Sequence, residues 1–256
     1  MLKKHLCFFL FTLLVVSCHK GSDSPRNPPS PPQFSQRIKQ VIRHIEYPGT
    51  GFPEGIFSTE YFYDAQGRVD SITKQKILYA ANGRVEKALH YDYYNAVVAG
   101  ASTYQYNSEG RVESILNQNF NANNQIDSEY KKFFEYNDDG YVVKDWISIG
   151  DDKSVITRED GNSTKVQRFY DNTGAEHYLS IASYDDKWNP EYVAGLNSIY
   201  PGEYSPKNVT FAQLVSWDCG DYDASPVHYS ITYNDEGLPL KSEADNGYMW
   251  IEYIYE

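Results

Sequence analysis

An all-β chain is predicted: an antiparallel up-and-down meander of repeated hairpins, rolled into a curved sheet or partly closed barrel. Three observations predict it. A turn unit returns along the chain, tyrosine is in excess (24 Tyr against 4 Trp and 2 Met), and 17 Gly are scattered among Asn and Asp. Tyrosine favours pleated, half-buried surfaces, and Gly, Asn and Asp are turn formers.

The chain begins with a short basic start (Lys3, Lys4, His5), an apolar run from Leu6 to Val16, and then Ser17-Cys18. The run is too short for a permanent membrane span, and its length and flanks are those of a secretory signal. Cysteine after a small residue at its end resembles a bacterial lipoprotein processing site. That resemblance implies a signal peptide over 1–17, diacylation of the Cys18 thiol, cleavage before it, and acylation (palmitate or similar) of the new amine. The expected address is the outer membrane of the cell envelope, with the leaflet undecided.

Residues 18–36 form the acylated Cys and a Pro-rich tether, HKGSDSPRNPPSPPQFSQ after Cys18. Such chain extends at ~3.1 Å per residue. The next stretch, RIKQVIRHIEY at 37–47, fits helical spacing through Ile38, Val41, Ile42 and Ile45. Its β-branching and its place ahead of a hairpin repeat favour a strand.

The repeat occupies the single β domain at 37–256. An aromatic strand end meets Asp or Asn, two linking residues, Gly, then usually Arg-Val and a polar–apolar alternation. Copies are Tyr61-Phe62-Tyr63-Asp64-Ala65-Gln66-Gly67-Arg68-Val69, Tyr79-Ala80-Ala81-Asn82-Gly83-Arg84-Val85 and Tyr106-Asn107-Ser108-Glu109-Gly110-Arg111-Val112. Looser copies end at Gly140, Gly174 and Gly237, and Tyr184-Asp185-Asp186-Lys187-Trp188-Asn189-Pro190 is a degenerate one with Trp188 in the glycine's place. Asp or Asn starts a tight turn through its side chain and Gly supplies positive φ near its end, so each copy is one hairpin. Alternation after Gly83 predicts one face from Val85, Leu89, Tyr91 and Tyr93, and the other from Arg84, Glu86, His90 and Asp92. One strand is expected over 68–78. It carries Arg68, Asp70, Lys74 and Lys76 on one face and Ser71, Thr73 and Gln75 on the other, so neither face suits hydrocarbon.

The Tyr-Asp-x-x-Gly-Arg-Val unit resembles the YD repeat of Rhs-type surface proteins. The lipobox, tether, opening Arg37-Ile38-Lys39, hairpins, Tyr184–Pro190 segment and aromatic last strand Trp250–Tyr255 together resemble an uncharacterised family of Bacteroidota lipoproteins. The resemblance covers about 37–256. It implies a porin-like β fold and no assigned function; uneven spacing argues against the closed toxin shell of Rhs proteins.

With 23 basic and 35 acidic residues the net charge is −12, which disfavours nucleic acid. Cys7 leaves with the signal and Cys18 is acylated, so Cys219 stands alone and no internal disulfide framework is available. It reads as a small hydrophobe. The acidic doublets Asp138-Asp139, Asp151-Asp152 and Asp185-Asp186 fall at turns, which explains them without a metal. His19, His44, His90, His177 and His228 show no ligand spacing. The sequence carries no hydrolase elbow, zinc, nucleotide-loop or EF-hand motif, so neither catalysis nor a cofactor is expected. Gly49–Gly55 reads as a loop.

One segment breaks the rhythm. Residues 188–228 carry Trp188, Tyr192, Trp217 and Tyr222 with four prolines and no repeat copy. Long irregular inserts are usually functional. These four rings are the candidate ligand-binding residues, against the alternative that they cap the sheet. The expected function is a non-enzymatic interaction or binding module, bound to the membrane through its lipid, with a glycan or envelope protein as partner. A glycan-binding or polysaccharide-acting accessory protein is the alternative.

Overall fold

A computed structural model describes residues 28, 30–46, 55–92, 96–149, 152–170, 173–217 and 225–256. The signal segment, Cys18, most of the tether, Tyr93, Cys219, Tyr222 and the Trp217 side chain lie outside the described residues.

The strands are β1 (Ile38–Ile45), β2 (Gly55–Tyr63), β3 (Val69–Ile72), β4 (Gln75–Tyr79), β5 (Val85–Tyr91), β6 (Val98–Tyr106), β7 (Val112–Phe120) and β8 (Ile126–Tyr136). They continue as β9 (Val142–Ile147), β10 (Asp152–Glu159), β11 (Asn162–Tyr170), β12 (Glu176–Trp188), β13 (Lys207–Trp217), β14 (Val227–Tyr233), β15 (Pro239–Ala244) and β16 (Met249–Tyr255). A one-turn helix, α1 (Pro190–Val193), and a 3₁₀ turn at Leu196–Ser198 stand between β12 and β13. Every strand pairs antiparallel with its successor and β16 returns to β1, so the meander closes into a barrel of sixteen strands. Closure is complete, and 37–47 supplies a strand as expected. No helix among the described residues is long and apolar enough to cross a membrane. β3 and β4, of four and five residues, fall short of the ~9–11 residues of a bilayer-crossing strand.

The repeat forms the turns foreseen for it. Asp64 Oδ1 accepts from the backbone N–H groups of Gln66 and Arg68 at 2.9 Å, and Asn107, Asn137 and Asn234 cap their turns in the same way. Gly67, Gly83, Gly110, Gly140 and Gly237 all sit at φ near +80°. One copy departs: the Tyr170–Gly174 turn joins β11 to β12 and so lies at the opposite rim of the barrel.

Why the unit needs Tyr, Gly and Arg-Val together becomes clear between neighbouring copies. The Tyr79 hydroxyl donates to the Val69 carbonyl, Tyr106 to Val85, and Tyr136 to Val112, each at 2.7–2.8 Å. Arg68 lies 4.0 Å over the Tyr79 ring, Arg84 5.2 Å over Tyr106 and Arg111 5.6 Å over Tyr136, a cation–π arrangement. A Cβ on Gly110 would stand 2.1 Å from Arg84 Nη2, so glycine also makes room for the preceding copy's arginine. Each copy's Arg-Val therefore receives the next copy's Tyr and Gly, in a staircase around one rim. The last step is split between the two ends of the barrel. Arg37 and Glu256 exchange backbone hydrogen bonds (3.1 and 3.0 Å), Tyr63 donates to Ile38 O, and Tyr255 donates to Pro239 O. Tyr255-Glu256 and Arg37-Ile38 thus act as one copy without its turn.

Two face and strand assignments need correction. The expected strand 68–78 is two strands: the chain reverses at Thr73-Lys74, where Thr73 takes φ +32°. The predicted face of Val85, Leu89 and Tyr91 is also wrong. The register jumps from Leu78↔Lys87 to Tyr79↔Val85, so Glu86 is the extra residue of a bulge and parity flips after it. Val85 and Ala88 are buried and His90 points inward, bonding Ser102. The same jump occurs beside Tyr63, Tyr106, Tyr136 and Tyr233.

Candidate functional site: a lumen filled by its own chain

Sixteen strands enclose more space than inward side chains can fill; barrels of this size leave a channel. Here the chain fills part of it. At Tyr184-Asp185 the repeat begins normally: Tyr184 OH donates to Ser163 O, and Asp185 Oδ1 accepts from Lys187 N. No glycine follows, and Pro190 opens a helix instead. Asn189 caps α1, accepting from Glu191 N at 2.9 Å, and proline suits that first turn. The chain passes into the lumen and returns at Pro206, whose carbonyl accepts from Asn189 N at 2.8 Å. Residues 189–206 are a plug entering from the staircase rim. They carry Leu196 and Ile199, each 1% exposed, into the core formed by Val41, Ile77, Val85 and Ala88.

Polar contacts fix the plug to the wall. Arg43 Nη2 of β1 lies 3.0 Å from both Glu191 carboxylate oxygens, and Tyr61 OH donates to Glu191 at 2.7 Å. Burial opposes the charge on Arg43, but the Glu191 carboxylate carries it above its ordinary value; burial and the same carboxylate push the Tyr61 phenol up. Tyr104 OH donates to Ile199 O at 2.8 Å, and Arg158 donates to Val142, Gly161 and Gly202 carbonyls.

A hydrogen-bond chain crosses β4 to β7. Tyr200 OH of the plug donates to Gln75 Oε1, and Ser102 Oγ donates to Asn117 Oδ1 at 2.7 Å. Between them, Gln75 Nε2 faces His90 Nδ1 at 3.2 Å and His90 Nε2 faces Ser102 Oγ at 2.8 Å. Every donor finds an acceptor if His90 is neutral with its proton on Nε2. Burial, which lowers the His90 pKa, favours that state.

Among the described residues, three bays of the lumen lie around the plug. The first, about 710 Å³, lies against β1–β5 and is lined by Arg43, Phe57, Gln75, His90, Tyr91 and Tyr200, among others. Its edge reaches Thr73-Lys74 and the 53% exposed Phe57, which belong to the rim opposite the staircase. The second, about 730 Å³, lies against β8–β12, with Lys132 between Asp145 (3.9 Å) and Glu203 (3.7 Å). The third, about 320 Å³, lies against β13–β16. No group of three or more His, Cys, Asp or Glu among the described residues could hold a metal ion.

The candidate rings do not form one site. Trp188 ends β12 at the staircase rim, 6.2 Å from Tyr192, with Lys207 Nζ 4.2 Å over its ring. Tyr192 is buried in α1. Trp217 ends β13 and pairs with Tyr178; ten residues of strand, ~33 Å, separate it from Lys207, the partner of Trp188. Sequence reasoning missed Arg43, Tyr61, Gln75, His90 and Glu191. The one signal for them was the degenerate copy itself, where Pro190 replaces a turn.

Fold and lumen define a class: an up-and-down sixteen-stranded barrel plugged by an insert from its own chain. Two solved structures are similar to it in fold. A porin-like protein from Bacteroides uniformis has 16% identity and a TM-score of 0.54, with 89% of this chain and 99% of that one covered. A porin-like protein from Bacteroides vulgatus has 11% identity and a TM-score of 0.50, over 86% of this chain and 99% of that one. At such identities the likeness is one of fold. No protein-family description and no curated protein match the sequence.

Proposed function

We propose that this chain is a lipid-anchored cell-envelope protein, acylated at Cys18, whose barrel stands in water as a non-enzymatic binding module. One observation carries the reading: tether and plug share one rim, and the largely open first bay reaches the other. Residues 30–36 run along the staircase rim, where Ser35 N donates to Glu236 at 2.9 Å and Asn234 Nδ2 donates to Gln36 at 2.8 Å. An anchor on that side turns the bay away from the membrane. Charged outer-wall residues such as Lys131, Glu135 and Lys144, with the short β3 and β4, suit water better than lipid.

A glycan ligand is the second reading. It is favoured by Phe57, Tyr91, Tyr200 and Tyr204 standing beside Ser58, Thr59 and Gln75 in the first bay, since ring faces and amides suit hydroxyl-rich molecules. Two experiments test the proposal. Cys18→Ser should move the protein out of the membrane fraction; undiminished retention refutes the anchor. On an array of oligosaccharides and envelope peptides, a hit should weaken at least tenfold in Phe57→Ala or Lys74→Ala and persist in Trp188→Ala. The reverse pattern would place binding at the staircase rim.

A further inference from the structure

The third bay differs from the other two in its wall and its chemistry. Among the described residues β13 and β14 are the least laddered neighbours for their length: eleven and seven residues long, they pair at Phe211↔His228 and Ala212↔Val227 alone. Along Tyr229–Tyr233, β14 is registered with β15 alone. Near the staircase rim the seam is bridged through Asp185 of β12, which accepts from Tyr233 OH of β14 and from Asn208 N of β13 at 3.3 Å. Along Tyr229–Tyr233 such a wall can part without breaking a ladder to β13.

Behind the seam lies the 320 Å³ cavity, lined by Val209, Ala212, Ile231, Met249 and Ile251 with the faces of Tyr229 and Tyr253. Glu191 is its single charged lining residue, and Arg43 and Tyr61 already satisfy that carboxylate. A charged ligand would therefore enter uncompensated. Ser242 also lines the cavity. It is 6% exposed and stands between Ile231 and Ile251 across the ladders. Its hydroxyl can donate to or accept from the polar end of a ligand in the cavity.

We infer that this cavity binds a neutral, slim amphiphile: an apolar body against Ile231, Met249 and Ile251, and one hydroxyl or carbonyl group on Ser242. The volume equals about ten water volumes at ~30 Å³ each, which suits a chain the size of octan-1-ol. The site is separate from the first bay and stands or falls without the proposed function.

Octan-1-ol is the probe, with octanoate as its charged counterpart. The sequence has two methionines, Met1 and Met249, so protein labelled with ¹³C-methyl methionine and freed of its signal reports from inside the cavity at one resonance. Octan-1-ol should shift the Met249 methyl signal saturably, and octanoate at pH 8 should need at least tenfold more ligand. Ser242→Ala should weaken octan-1-ol roughly fivefold, the loss of one ordinary hydrogen bond. Ile231→Trp should fill the space and abolish the shift. An unmoved Met249 signal at saturating alcohol overturns the inference, with or without a folded tryptophan variant. Octanoate binding as tightly as the alcohol overturns the neutral headgroup.

Discussion

The two rims of the barrel are built on different plans. Around the staircase rim one unit recurs, and copies interlock through Tyr hydroxyls, Arg guanidiniums and positive-φ glycines. The opposite rim mixes turns of different kinds: β3 and β4 join through Thr73-Lys74, β7 and β8 through Asn121–Gln125 with Asn124 at φ +58°, and β11 and β12 through the displaced copy at Tyr170–Gly174. A rim whose parts hold each other has little freedom to change. A rim whose turns differ in kind can vary one turn at a time, and loops with that freedom are where binding surfaces arise.

Alkali should break the comparison most completely. Burial raises the Tyr79, Tyr141 and Tyr200 phenols to about 12, against ~10 in an unfolded chain. Stability from these neutral phenols is intact below pH ~10 and lost as pH rises towards 12. Tyrosinate absorbance should therefore emerge together with loss of the β spectrum; ionisation of these rings in a still-folded barrel would contradict the interlock. Next comes Glu191→Ala, which strands Arg43 against the plug and should cost ~3 kcal/mol in denaturant melts. Gly161→Ala follows at ~2–3 kcal/mol, since its φ is +82° and the new Cβ would stand 2.3 Å from the Tyr141 ring. Tyr106→Phe removes one staircase hydrogen bond and should cost ~1 kcal/mol. Asn123→Ala, exposed on the opposite rim, should stay within ~0.5 kcal/mol. A loss there equal to that of Tyr106→Phe would erase the distinction between the rims.

Local chemistry was legible and long-range chemistry was not. Asp or Asn ahead of Gly identified the hairpins of the repeat, because those turns bond within five residues; the β3–β4 reversal at Thr73-Lys74 carries no such signal and was missed. The bulge after Val85 was invisible: it arises from the ladder with β4, and one extra residue moved His90 from the predicted wet face into the lumen. Closure depends on β1 meeting β16, which no local pattern encodes. The plug's anchor joins Arg43 to Glu191 across 148 positions. Trp188 and Trp217 stood out by composition, yet the separation of strand ends put them at opposite rims.

The divided copy at Arg37 and Glu256 makes the barrel cyclic in all but one covalent link. In the intact unit three residues, Ala65, Gln66 and Gly67, join the positions that Glu256 and Arg37 occupy in the divided one. Bridging Glu256 to Arg37 with a three-residue segment ending in Gly would give a chain that can be opened at another turn. New termini at Asn121–Gln125 would yield a circular permutant with the same sixteen-strand order, the plug in the same lumen, and an attachment point moved to the opposite rim.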